Sequence, residues 1–320
     1  MKNNCRRTFL QAAALFLATG GRLIAGSVRA LVPNRQERRA AARGRELGAG
    51  TVSLEGPELV EVYTSHTWTL TYTVGSAGIA PGGGLRIGLR HLQNWNTAMP
   101  QTVRPSEDGY LTSQVDGRAS VELSVPKSGD LNSQYFAWQN IVQAIVGEPG
   151  LKPGEQLHVT FGDRSGGGPG WRVQPFDETH YGFKCYVDLD GEGDYLPLEE
   201  TPTVEIVSSE ATKLTVITPS HAVAGEPSWC LVRAEDRFGN PATSYRAEVR
   251  FRSTDPSAVL QETYVFRSED QGVHRFDDVV WRSPGDHSIS ASDGSLTARS
   301  NPVRVSQILP SKRVFWGDLH

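Results

Sequence analysis

This sequence predicts an all-β chain of two tandem β-sandwiches, and three observations lead there. Apolar residues recur at every second position. In Trp68-Thr69-Leu70-Thr71-Tyr72-Thr73-Val74, the side chains of Trp68, Leu70, Tyr72 and Val74 share one face of an extended chain. The alternating runs are short and divided by turn-forming clusters. The 33 Gly and 19 Pro, against 2 Met, fit turn-rich strand structure better than helix. Finally, 320 residues with 38% hydrophobic content suffice for two cores, and a second series of strands begins near Ser208.

Residues 1–50 stand outside these domains. Cys5-Arg6-Arg7-Thr8-Phe9-Leu10 precedes a weakly apolar run that reaches Ala25. Paired arginines followed by Phe-Leu resemble the twin-arginine export signal, and Val28-Arg29-Ala30 offers a cleavage site. The run is too short for a membrane anchor and Arg22 interrupts it. A cleavable signal over residues 1–30 is therefore expected. Its partner is the twin-arginine translocon, contact with the membrane is confined to export, and the product is periplasmic or secreted. Residues 31–50 place Arg35, Arg38, Arg39, Arg43 and Arg45 among alanines. A short helix fits, but no clear apolar face marks it, and the stretch reads as a solvated basic linker.

The first sandwich is expected over residues 51–207. Leu59-Val60-Glu61-Val62-Tyr63 opens it, and the run from Trp68 to Val74 follows. Gly78-Ile79-Ala80-Pro81-Gly82-Gly83-Gly84 turns the chain into Leu85-Arg86-Ile87-Gly88-Leu89-Arg90. Further strands are expected at 119–125, 156–161 and 183–187, with turns at 151–155 and 166–170. Residues 136–146 fit either a helical stripe or a strand. Their β-branched residues and flanking turns favour a strand.

The second sandwich is expected over residues 208–308. Its strands are read at 214–217, 229–234, 247–251, 264–266, 272–276, 279–281, 284–291 and 302–305. Short strands at this spacing, divided by turn signals, indicate an immunoglobulin-like sandwich of about seven strands. Asp236-Arg237-Phe238-Gly239-Asn240-Pro241 resembles the Asp-x-x-Gly-Asn-Pro turn of bacterial immunoglobulin-like domains in surface proteins. Cys185 and Cys230 fall in different sandwiches and read as two separate buried thiols, although an oxidising compartment permits a pair.

Several chemistries find no foothold. A net charge of -4 argues against a nucleic-acid partner. The Gly-rich stretches lack the Lys-Ser/Thr of a phosphate loop, and no Gly-x-Ser-x-Gly elbow occurs. Asp188-Leu189-Asp190-Gly191-Glu192-Gly193-Asp194 comes close to a calcium loop. Asp188, Asp190, Glu192, Asp194 and Glu199 are its candidate ligands, with Gly193 sixth and Glu199 twelfth. Glu192 departs from the Asp or Asn usual at the fifth position, and Pro197 opposes a following helix. An acidic β-turn is the competing reading. His180 near Asp177 and Glu178 is a weaker metal candidate, and the remaining histidines before residue 320 read as surface or strand-packing residues.

The last ten residues are Ser311-Lys312-Arg313-Val314-Phe315-Trp316-Gly317-Asp318-Leu319-His320. A short apolar strand that delivers a histidine to its end resembles the opening of the PHP (polymerase and histidinol phosphatase) metal-dependent phosphoesterases, whose first motif is His-x-His. The chain more closely resembles an uncharacterised bacterial family of exported PHP-type proteins opening with Trp-Gly-Asp-Leu-His. Upstream, Thr73-Val74-Gly75, Gly83-Gly84-Leu85-Arg86-Ile87-Gly88 and Phe161-Gly162-Asp163-Arg164-Ser165-Gly166-Gly167-Gly168-Pro169-Gly170 are similar to that family's β region. The resemblance implies that His320 is a first metal ligand and Asp318 its neighbour. It implies zinc, manganese or iron in the full-length parent and no cofactor for this chain alone. Residues 309–320 would then be the truncated start of a catalytic barrel, which is the missing partner domain. The alternative expectation is a complete binding or adhesion module that recognises a glycan or protein through exposed aromatics such as Trp95, Trp138 or Trp171.

Overall fold

The computed structural model describes residues 35–89, 99–126 and 140–308. The stretch expected as a solvated linker is a helix, α1, over Arg35–Glu46. Arg, Glu and Ala are strong helix formers, and the first sandwich supplies the docking surface that the sequence does not advertise. Gly44 is buried where a side chain would meet Leu196 and the Pro197 carbonyl. Arg43 lies 3.8 Å from Asp194, and Arg45 pairs with Glu199. The helix ends at Gly48, whose φ of 69° is the left-handed conformation glycine adopts without strain.

Among the described residues, the first sandwich contains thirteen strands. They are β1 (Thr51–Glu55), β2 (Leu59–Glu61), β3 (Ser65–His66), β4 (Trp68–Thr73), β5 (Gly84–Leu89), β6 (Leu111–Val115), β7 (Val121–Ser124), β8 (Asn140–Val146), β9 (Gln156–Phe161), β10 (Trp171–Arg172), β11 (Glu178–Asp188), β12 (Leu196–Pro197) and β13 (Thr203–Val207). One layer runs β1-β4-β9-β6. The other runs β2-β13-β11-β5-β8-β7, with β12 attached to β11. Only β2 against β13 is parallel among these pairs. The two short strands β3 and β10 pair with each other.

The period-two reading of β4 holds: Trp68, Leu70 and Tyr72 point inward while the three threonines are half-buried. They meet Leu157, Val159 and Phe161 of β9, and Leu85, Ile87, Val142, Cys185 and Val187 from the opposite layer. Each such side chain contributes about 1.5–3 kcal/mol of burial. Phe161 is edge-on to Trp171 and Phe183, with centroids 5.5 Å and 5.2 Å apart. The next residue, Gly162, has φ 71°, and an added Cβ would stand 2.1 Å from the Trp171 amide nitrogen. That glycine lets the loop return Trp171 against Phe161.

The second sandwich contains β14 (Lys213–Ile217), β15 (His221–Val223), β16 (Pro227–Glu235), β17 (Glu248–Ser253), β18 (Thr263–Val265), β19 (Val273–Val280), β20 (Gly285–His287), β21 (Ile289–Ser292), β22 (Thr297–Arg299) and β23 (Val303–Ser306). Its sheets run β14-β16-β19, β15-β23-β20 and β18-β17-β21-β22. The runs expected separately at 272–276 and 279–281 form one strand, β19, whose pairing with β16 shifts register between Ser228 and Cys230. The single run expected over 284–291 divides at Ser288 into β20 and β21. Cys230, Val232 and Ala234 of β16 face Val249, Phe251, Ile289, Ala291 and Trp281 in one core. Cys185 and Cys230 are buried free thiols, and burial pushes both up to about 12, so neither is a ready nucleophile.

Asp255 ties two loops of this domain together. Its carboxylate accepts the Arg282 and Ser283 N–H groups at 2.7 and 3.0 Å, the Ser283 hydroxyl at 2.8 Å and the Ser257 N–H at 3.0 Å. Burial alone would raise this carboxyl, but the donors outweigh it and hold it at about 2. The folded value lies below that of the unfolded chain. The stabilisation is therefore complete above about pH 4 and fades as pH falls toward 2. Asp255→Asn should cost on the order of 2 kcal/mol at pH 7 and flatten the dependence of the urea midpoint on pH between about 4 and 2. Phe161→Ala should cost about 3–5 kcal/mol, read as a lower urea midpoint for the first sandwich.

Candidate functional site

The acidic run after β11 is a tight turn between two strands. Asp188 is 1% exposed. One of its oxygens accepts the Gly191 N–H at 3.0 Å and the other the Gly193 N–H at 2.9 Å. Asp190 accepts the Glu192 N–H at 3.1 Å. Asp194 and Glu199 turn toward Arg43 and Arg45 of α1. The five carboxylates expected as calcium ligands thus do not converge. Among the described residues, no three His, Cys, Asp or Glu side chains are grouped to hold a metal ion.

The residues around His180 also separate. His180 contacts the Thr179 hydroxyl at 3.0 Å, and buried Glu178 accepts from Gln174 at 3.0 Å. The Asp177 N–H donates to Asn240 at 3.3 Å. Trp171, expected as an exposed aromatic, is 3% exposed because it packs against Phe161. Asp318, His320, Trp95, Trp138 and the signal over residues 1–30 lie outside the described residues.

The turn at 236–241 joins the two sandwiches. One oxygen of Asp236 accepts the N–H groups of Phe238 and Asn240, both at 2.9 Å. The other accepts the Asn240 amide at 2.9 Å and the Ser209 N–H at 3.1 Å. Burial opposes this charge, but the donors hold the carboxyl below its usual range. The Asn240 side-chain amide also donates to the Pro175 carbonyl of the first sandwich at 2.8 Å. Phe238 packs against the first core, 5.2 Å from the Tyr63 ring. Arg237 lies over Phe238 and Tyr63, and Arg172 covers Tyr63 at 4.9 Å. Tyr63 sits at φ 63°, a conformation rare outside glycine. Its N–H donates to the Gln174 carbonyl at 3.1 Å, which helps hold it there. Sequence reasoning found this turn but not its role. The available signal was Phe238, an apolar ring in a turn that would otherwise be solvated.

A groove of about 770 Å³ in the first sandwich is lined by residues of β1, β2 and β13 and of the segments between them. Val52, Ser53 and Leu54 of β1 form one wall, and Glu58, Leu59 and the start of β13 form the other. Trp68 also lines it. Its indole N–H donates to the Pro57 carbonyl at 2.9 Å, and the residue is 2% exposed. Glu58, Glu200 and Glu205 are exposed on the rim.

No protein-family model matches the chain, and a comparison with curated proteins finds no match. Solved structures do show likeness. The Yersinia pseudotuberculosis adhesin InvE is 12% identical, over 81% of this chain and 60% of the adhesin, with a TM-score of 0.25. A cohesin module from a Clostridium perfringens family 33 glycoside hydrolase is 10% identical, over 51% of this chain and 99% of the module, with a TM-score of 0.30. A marsupial T cell receptor is 10% identical, over 80% of this chain and 71% of the receptor, with a TM-score of 0.25. The chain thus spans less than two thirds of the adhesin it matches. At these scores the architecture rests on the hydrogen-bonded sheets themselves.

Asn240→Ala removes the donor to Pro175 and leaves the Asp177 N–H without its acceptor. It should cost about 1–3 kcal/mol and separate one urea transition into two, followed by tryptophan fluorescence.

Proposed function

We propose that this chain carries accessory β domains of an exported PHP-type metal-dependent phosphoesterase. The observation that carries the reading is the run Phe315-Trp316-Gly317-Asp318-Leu319-His320, which resembles the opening metal motif of that family. It follows directly on the second sandwich. There, β23 pairs with β15 on one side and β20 on the other, so the point at which the chain leaves the domain is fixed. The turn at 236–241 then relates that exit to the first sandwich.

In this reading His320 is a metal ligand and Asp318 its neighbour. One imidazole and one carboxylate are too few donors to complete a catalytic metal site, so further ligands would have to join His320 and Asp318 to hold the metal. The metal, which is zinc, manganese or iron, belongs to the full-length enzyme. There it would lower the pKa of a bound water and clamp a phosphate. Export runs through the twin-arginine translocon, in keeping with Arg6-Arg7, and delivers the protein to the periplasm or beyond. Among the described residues, no helix is long and apolar enough to cross a membrane. A second reading, a β-sandwich binding module, is favoured by the open groove of the first sandwich.

The purified chain, incubated with zinc or manganese and bis(4-nitrophenyl) phosphate, should show no metal-dependent release of nitrophenol. Turnover that requires the metal would refute the assignment of the chain as accessory. Sequencing the transcript beyond codon 320 should reveal, in some frame, a continuation of alternating strands and helices rich in His and Asp. A stop with nothing barrel-like behind it would remove the hydrolase reading.

A further inference from the structure

We propose that the groove along β1 binds a cationic, extended peptide segment of a partner protein, which adds as a further strand to the first sandwich. The proposal stands with or without a catalytic domain and so goes beyond the hydrolase reading. Two features of the topology lead to it. β1 ends the order β1-β4-β9-β6 and is hydrogen-bonded on one side only, and β2 ends the order of the opposite layer. The groove lies between these two edges. An open edge presents backbone N–H and C=O groups that an incoming strand can satisfy. α1 packs against β12 and shares a small cavity with Thr51 and Val52 at the start of β1, and among the described residues no strand pairs with the free edge of β1.

The chemistry of the walls selects the occupant. Val52 is buried in the core, so the apolar surface comes from half-buried Leu54 and from Leu59, which is 58% exposed. Glu58, Glu200 and Glu205 stand on the rim, and no Lys or Arg lines the groove. Side chains of an extended peptide alternate between two directions. Leu59 and Glu205 are in register across β2 and β13 and share one face, so one set of peptide side chains would meet both the Leu59 surface and the glutamates. Lysines, with apolar stems and charged heads, fit there, alternating with small apolar residues. A sugar ring is a poorer fit. Sugars stack on open aromatic faces, whereas Trp68 is 2% exposed and its N–H already serves Pro57.

The test uses the chain with three fluorescein-labelled peptides of about seven residues. One alternates Lys and Val. The second replaces each Lys with Glu, and the third is the Lys/Val peptide N-methylated at alternate backbone nitrogens. Fluorescence anisotropy should show micromolar binding of the first, weakened by salt, with at least about tenfold loss for each of the other two. Glu58→Lys and Glu205→Lys change exposed side chains. Each should weaken binding of the Lys/Val peptide by about tenfold while leaving the urea midpoint unchanged. Hydrogen exchange should show the amides of residues 51–55 slowed by that peptide. Absence of binding, equal binding of the N-methylated or acidic peptide, or indifference to both charge reversals would overturn the proposal. So would a concentration-dependent dimer, seen by sedimentation, that the Lys/Val peptide does not dissociate.

Discussion

The carboxylate of Asp236 is the constraint on which the two-domain arrangement depends. It organises its own turn through Phe238 and Asn240 and reaches back to Ser209 where the second domain begins. With the turn fixed, the Asn240 amide donates to Pro175 and the half-buried Phe238 ring packs against the first core. A buried carboxylate is costly unless donors surround it. This one accepts five hydrogen bonds from three residues, which keeps it ionised and makes it a structural rather than a reactive group. The left-handed Tyr63, held between Arg172 and Arg237, completes the same junction from the other side.

Most of the fold was legible in the sequence because period-two burial writes strands directly. β4 and β9 follow their alternation residue by residue, and β16 does so from Trp229 to Ala234. What the pattern concealed has physical causes. α1 lacks an apolar stripe because it docks through Gly44 and ion pairs rather than through large side chains. The short strands β12, β15 and β22 contain too few residues for a period to appear. β19 reads as two strands because exposed Asp277 and Asp278 interrupt its apolar residues; its pairing with β16 shifts register at the same point and resumes beyond it.

The candidate sites were less legible, and the acidic turn shows why. Alternating carboxylates serve equally well to collect a cation or to cap backbone N–H groups. Asp188 and Asp190 do the second, and the partners of Asp194 and Glu199 come from a helix some 150 residues away in sequence. The groove was invisible to motif reading because it is a property of topology. It exists where β1 and β2 both end their layers, and its charge comes from Glu58, Glu200 and Glu205, which are scattered along the chain.

Because that junction links the sandwich bearing the groove to the sandwich from which residues 309–320 depart, the orientation of the domains is the central claim. It is tested most directly by electron–electron double resonance between spin labels at Glu107→Cys and Glu269→Cys. These are exposed positions in separate sandwiches, and buried Cys185 and Cys230 can be left in place. A single narrow distance distribution that broadens in Asp236→Ala is predicted. A broad distribution in the otherwise unaltered chain would contradict it.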